Sequence, residues 1–158
     1  DWLRPLGLGA RYGLFARMTT TRDEVVIREL HELPPGLAAQ AEASGLARRA
    51  PEEPAGHYWV ELALPYKPGP LDRAPPFLLA HMPRLDWQLW FVSLEWARSG
   101  RVPSWFLDFL RLLRARRPEV VGLVRHRAQA AVQAHVLERR PVATRASLED
   151  YEYSDAGR

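Results

Sequence analysis

The stretch from Tyr66 to Phe91 limits this chain more than any other. It reads Tyr-Lys-Pro-Gly-Pro-Leu-Asp-Arg-Ala-Pro-Pro-Phe-Leu-Leu-Ala-His-Met-Pro-Arg-Leu-Asp-Trp-Gln-Leu-Trp-Phe. Five prolines between Pro68 and Pro83 exclude a long helix or a central strand there, since each removes a backbone donor and fixes φ. The stretch then closes on Trp87, Trp90 and Phe91. An irregular segment this apolar has to be packed down, and its polar groups then need specified partners. His81, Arg84 and Asp86 stand out among them, and Lys67, the single lysine of the chain, lies at the entrance.

The rest of the sequence reads as scaffold around that stretch. A length of 158 residues predicts a single domain, 1–158, able to bury a real core. No cysteine is present, so disulfides and thiolate metal sites are excluded. Arginine outnumbers lysine 21 to 1, which with the abundant Ala, Gly and Pro is the mark of a GC-rich genome. No apolar run approaches the roughly 20 residues that span a bilayer. The chain opens on Asp1 with no Met and no leader pattern, so a fragment or processed product is expected.

Period-two alternation predicts a strand from Tyr12 to Met18, a short β-branched strand at Val25-Val26-Ile27, and the clearest strand from Tyr58 to Leu64. Between them, Leu30–Gly56 is rich in Ala, Pro, Glu and Arg. Leu37–Arg49 has the length for about three helical turns, yet Gly45 and the flanking prolines favour a mobile surface excursion. Residues 30–56 are therefore expected to be a surface insertion that a two-residue turn could replace.

Three helices follow. The first is expected to start with Asp86 as N-cap and to carry Trp87, Trp90, Phe91 and Leu94 at i, i+3, i+4, i+7. Leu89, Val92 and Trp96 cover much of the remainder, which predicts a helix buried on most sides. The second starts at Ser104 after Pro103 and ends in Arg114, Arg116 and Arg117, an order that suits the helix dipole. The third opens on Pro118 and runs through Val132. A last strand holds Val142, Thr144, Ala146 and Leu148, and a slip of phase to Tyr151 and Tyr153 predicts a bulge or kink near Glu149-Asp150. Strands, clustered helices and a returning strand make an α+β fold: an antiparallel sheet or sandwich with a layer of about three helices.

His81, Arg84 and Asp86 put a base, a cation and a carboxylate within six residues. One reading makes His81 a general base and Arg84 an anion clamp. The plainer one makes Arg84 and Asp86 partners that cap the helix and lock the proline-rich segment onto it. No nucleophile elbow, metal-spaced histidine pair or glycine-rich phosphate loop is present, so neither cofactor nor metal is predicted. From Arg98 to Arg145 eleven arginines face three acids, Asp108, Glu119 and Glu138. They interleave with an apolar helix face as surface residues do, which argues against nucleic acid as the partner.

Several motifs converge on a known family. Tyr66-Lys67-Pro68-Gly69, Leu71-Asp72-Arg73, Pro75-Pro76-Phe77 and His81-Met82-Pro83-Arg84-Leu85-Asp86-Trp87-Gln88-Leu89-Trp90-Phe91 closely resemble the C-terminal domain of the lipase maturation factor family. Tyr12-Gly13-Leu14-Phe15, Met18-Thr19 and Glu24-Val25-Val26-Ile27 match its opening strands. Trp105-Phe106 and Pro118-Glu119-Val120 match its helices, and Tyr151-Glu152-Tyr153 its closing strand. The chain departs from the family at Met82, where Gln is usual, and at Leu30–Gly56, which replaces a short turn.

The resemblance implies the soluble C-terminal domain of a polytopic membrane protein. In animals such proteins reside in the endoplasmic reticulum and help secreted lipases fold and assemble; bacterial relatives also exist, and the composition suits one of those, in a cell membrane. The domain is thus expected to be a non-catalytic, chaperone-like module that binds client proteins. An enzyme using His81, Arg84 and Asp86 remains the alternative. Lys67, Asp72, Arg73, His81, Arg84, Asp86, Trp87, Gln88 and Trp90 form the candidate functional or structural motif of the domain, with no residue assigned as catalytic. The two readings part on exposure: an accessory needs an apolar surface patch, an enzyme a pocket where the three side chains meet.

Overall fold

In a computed structural model of the chain, residues 23–64, 66, 84–124 and 131–150 are described, and Asp150 by its backbone alone. The central element is β1, Asp23–Glu32, in which Val25, Ile27, Glu29 and His31 alternate toward one side and are all buried. The strand is far longer than its Val25–Ile27 nucleus because its alternation continues through charged residues. It pairs antiparallel with β3, His57–Glu61, on one side and with β4, Ala143–Asp150, on the other. A three-residue strand, β2 (Ala47–Arg49), adds to the far side of β3, giving the order β2-β3-β1-β4.

The register explains which face is covered. Val25 lies opposite Leu148, Ile27 opposite Ala146, and Val60 opposite both Glu29 and Ala47. These apolar positions share one face and join Leu89, Val92, Phe106, Phe109, Leu113, Val121, Val124, Val132 and Val136 in the core. The helices are α1 (Pro35–Ala43), α2 (Arg84–Ser99), α3 (Ser104–Arg114), α4 (Pro118–Val124) and α5 (Ala131–Leu137). α2 packs on β1 and β4, α3 on β4 and α4, and α1 on β2 and α5. The fold is α+β, with an open four-stranded antiparallel sheet and five helices among the described residues. One sheet is present there, and no second sheet that would complete a sandwich.

Several sequence expectations change. Leu30–Gly56 is packed: it contains α1 and β2, and Leu33, Ala38, Ala41, Ala47 and Ala50 are buried. Pro35 opens α1 where no donor is needed. Gly45, at φ 70°, closes it: the Leu46 amide bonds Ala41 O at 2.9 Å and the Gly45 amide bonds Glu42 O at 3.0 Å. That is a Schellman stop, so the glycine that argued against a helix ends one. α2 begins at Arg84, which puts Asp86 third in its first turn rather than at the cap. β4 keeps unbroken register with β1 through Asp23↔Asp150, without the expected bulge. α3 and α4 start where Pro103 and Pro118 predict, and residues 125–130 between α4 and α5 lie outside the described residues, as does the strand expected over Tyr12–Met18. No helix of the described residues is long and apolar enough to cross a membrane.

Candidate functional site

Of the candidate motif, Lys67, Asp72, Arg73 and His81 lie outside the described residues. The two ends of the proline-rich stretch are described, and Asp86 ties them together. Its carboxylate is 1% exposed, and Oδ1 accepts the backbone N–H of Tyr66 at 3.2 Å. A carboxylate in the first turn also meets the positive end of the α2 dipole. Arg84, two residues earlier, is exposed and forms no ion pair with Asp86. Successive side chains on a helix diverge by about 100°, so i and i+2 point well apart. The expected Arg84–Asp86 lock is thus an Asp86–Tyr66 lock.

Trp87, Gln88 and Trp90 are half-buried, and the apolar stripe that holds Trp87 and Trp90 is not the one that meets the core. Asp86, Leu89, Val92 and Ser93 are the buried positions of α2, with Trp96 packed against the core beside them. At about 100° per residue, Trp87, Phe91 and Leu94 fall roughly opposite that set. Phe91 is 38% exposed and Leu94 53% exposed. Their rings pack on one another along the helix: Trp87 meets Trp90 edge-on at 6.0 Å and Phe91 at 5.5 Å. α2 therefore has two apolar faces, one in the core and one outward. The outward face ends in two exposed arginines, Arg84 and Arg98, neither ion-paired among the described residues.

A second constellation escaped the sequence. Arg116 follows α3 in the left-handed region, φ 57°, where a glycine is usual. Its amide bonds Leu113 O at 2.9 Å and that of Arg117 bonds Leu112 O at 3.1 Å, a Schellman stop built on arginine. The guanidinium repays the backbone strain. Nη1 donates to Glu29 Oε1 (2.8 Å) and Leu113 O (2.9 Å). Nη2 donates to Glu29 Oε2 (2.5 Å) and Val136 O (2.9 Å), and Nε to Arg139 O (2.5 Å). All five donors are used. None is left for His31 Nε2, 3.4 Å from Nη2, so that nitrogen carries a proton and donates to Glu29 Oε2 at 3.2 Å. Glu29 is 0% and His31 3% exposed. One side chain thus joins β1 to the ends of α3 and α5. The sequence signal was the period-two run Val25, Ile27, Glu29, His31, in which a charge occupies a core position.

On the other face of the sheet Arg28 spans three strands. It bonds Glu149 with both terminal nitrogens, Glu61 Oε2 at 3.1 Å and Ser147 Oγ at 3.3 Å. The bond from Arg28 holds the Glu149 carboxyl down at about 2, against its partial burial. Beside it the Arg145 guanidinium lies 4.0 Å over the Trp59 ring, whose Nε1 donates to Glu52 Oε1 at 3.0 Å. Trp59 lies opposite Leu30 in the register and Arg145 opposite Arg28, and Leu30 is 1% exposed. These groups are committed to one another.

An open antiparallel sheet with one helical face, and an α2 that is apolar on two sides, define an α+β domain. Residues 8–158 match the lipase maturation factor C-terminal domain, and the chain belongs to that family. It is 35% identical over 155 residues to Lipase maturation factor 2 of Rattus norvegicus and 35% identical over 156 residues to that of Homo sapiens, in each case 96% of this chain. Against the Gallus gallus protein of the same name the identity is 32% over 115 residues, 72% of this chain. The chain spans 18% of the length of the rat and human proteins. No solved structure matches it.

Proposed function

We propose that this chain is a non-catalytic accessory domain that assists the folding or assembly of client proteins, secreted lipases among them. The observation that carries the reading is family membership over nearly the whole chain, with relatives named for lipase maturation. The outward apolar face of α2 supports it: binding a non-native client requires exposed apolar surface, and Phe91 and Leu94 supply it. On the same reading the chain belongs to a polytopic membrane protein, in the endoplasmic reticulum if the source is an animal and in the cell membrane if bacterial.

The test is refolding of a secreted lipase from denaturant with and without the full chain. The yield of active lipase rises as the chain approaches equimolar amounts, while an equal mass of an inert protein has no effect. Equal yields with the chain and with the inert protein would overturn the proposal.

A further inference from the structure

We infer that the outward face of α2 docks an amphipathic helix whose apolar stripe carries carboxylates at both ends. The inference takes its partner class, a client protein, from the reading above and specifies the segment recognised. Trp87, Phe91 and Leu94 form a ridge two turns long, about 10 Å at 1.5 Å per residue. Such a ridge fits against the i, i+3, i+4, i+7 face of another helix, and burial of exposed Phe91 and Leu94 drives the contact. The charges choose the partner. Arg84 lies one turn before the ridge and Arg98 one turn after it, both exposed, with Glu95 at the edge between them.

A second copy of the chain fits poorly. Laid antiparallel about Phe91, α2 would set Arg84 against Arg98 at both ends; laid parallel, it would set each arginine against itself. Like charges so placed oppose association. A flat lipid surface would bury Glu95 together with the ridge, whereas a helix leaves that carboxylate at the rim. An acid-flanked helix meets both arginines with opposite charge.

The test uses the full chain and two labelled synthetic helices of about five turns. They share one apolar stripe and end in glutamates or in lysines. Anisotropy titration is expected to favour the glutamate helix by about tenfold, two rim ion pairs' worth, and Arg84→Glu/Arg98→Glu to invert the order. Phe91→Ser/Leu94→Ser weakens both by at least about tenfold, with urea melts confirming that the variant is folded. Equal binding of the two helices, or no loss in the serine variant, overturns the inference. So does a ridge-dependent dimer in sedimentation, or ridge-dependent binding to phosphatidylserine vesicles without peptide binding. If the serine variant still aids lipase refolding as well as the parent, this docking site fails and the accessory function stands. If the helices bind as stated but lipase yield never rises, the accessory function fails and the docking site stands.

Discussion

Replacing Arg116 by alanine tests the buried junction that holds β1, α3 and α5 together. The substitution removes five hydrogen bonds and leaves the Glu29 carboxylate, 0% exposed, without its bidentate partner. Breaking a buried pair from one side costs about 3–5 kcal/mol, since the remaining charge has lost its compensation. Alanine also inherits the backbone at φ 57°. Glycine holds that conformation at about 1 kcal/mol less, so Arg116→Gly should lose about 2–4 kcal/mol. Lysine reaches Glu29 with a single ammonium and cannot serve the Leu113, Val136 and Arg139 carbonyls together, so Arg116→Lys falls between alanine and the parent. Removing both charges, as in Glu29→Met/Arg116→Gly, should cost less than the two single changes summed, by about 2–3 kcal/mol. Urea melts with shared m-values provide all five free energies. An alanine variant within about 1 kcal/mol of the parent, or glycine no better than alanine, would refute the reasoning.

Glu149→Gln should flatten the acid limb of stability. The folded carboxyl sits at about 2, below its ordinary 4.5, so its contribution is complete above 4.5 and is lost as pH falls toward 2. Because the side chain is 43% exposed, solvent limits the effect to about 1 kcal/mol, read from urea midpoints across that window. Replacing residues 33–56 by an Asn-Gly turn should lower the thermal midpoint by roughly 10 °C or more. The change strips Leu33, Ala38, Ala41, Ala47 and Ala50 from the core; an unchanged midpoint would show that lobe to be independent. Asp86→Ala should cost about 1–3 kcal/mol through the lost bond from Tyr66, while exposed Arg84→Met stays within about 0.5 kcal/mol. Equal losses in the two variants would restore the Arg84–Asp86 pair.

What was legible in the sequence follows from which forces act locally. Pro103 and Pro118 mark the starts of α3 and α4 because a fixed φ and a missing donor act at one residue. Tyr58–Leu64 was legible as a strand because its inward alternation is apolar, although β3 starts one residue earlier, at His57, and stops at Glu61. β1 was cut short at Ile27 because Arg28, Glu29 and His31 interrupt the hydrophobic signal, and only tertiary partners, Arg116 and Glu149, make those charges tolerable inside a sheet. Arg116 itself read as a dipole-compensating helix residue; nothing local says that it lies beyond the helix in a glycine's conformation. The Trp87, Trp90, Phe91, Leu94 stripe was visible, but periodicity finds an apolar face without saying whether the core or the outside receives it. Leu89 and Val92 took the core because α2 packs with that side on β1 and β4.

The most direct measurement of the proposed role is the affinity of the full chain for one secreted lipase in two states, native and freshly diluted from denaturant, by surface-immobilised binding. An accessory that acts during folding binds the non-native lipase at least about tenfold more tightly, a difference of about 1.4 kcal/mol. The Phe91→Ser/Leu94→Ser variant loses that preference if the ridge of α2 carries it. Equal affinity for both states, or binding to neither, would contradict the account.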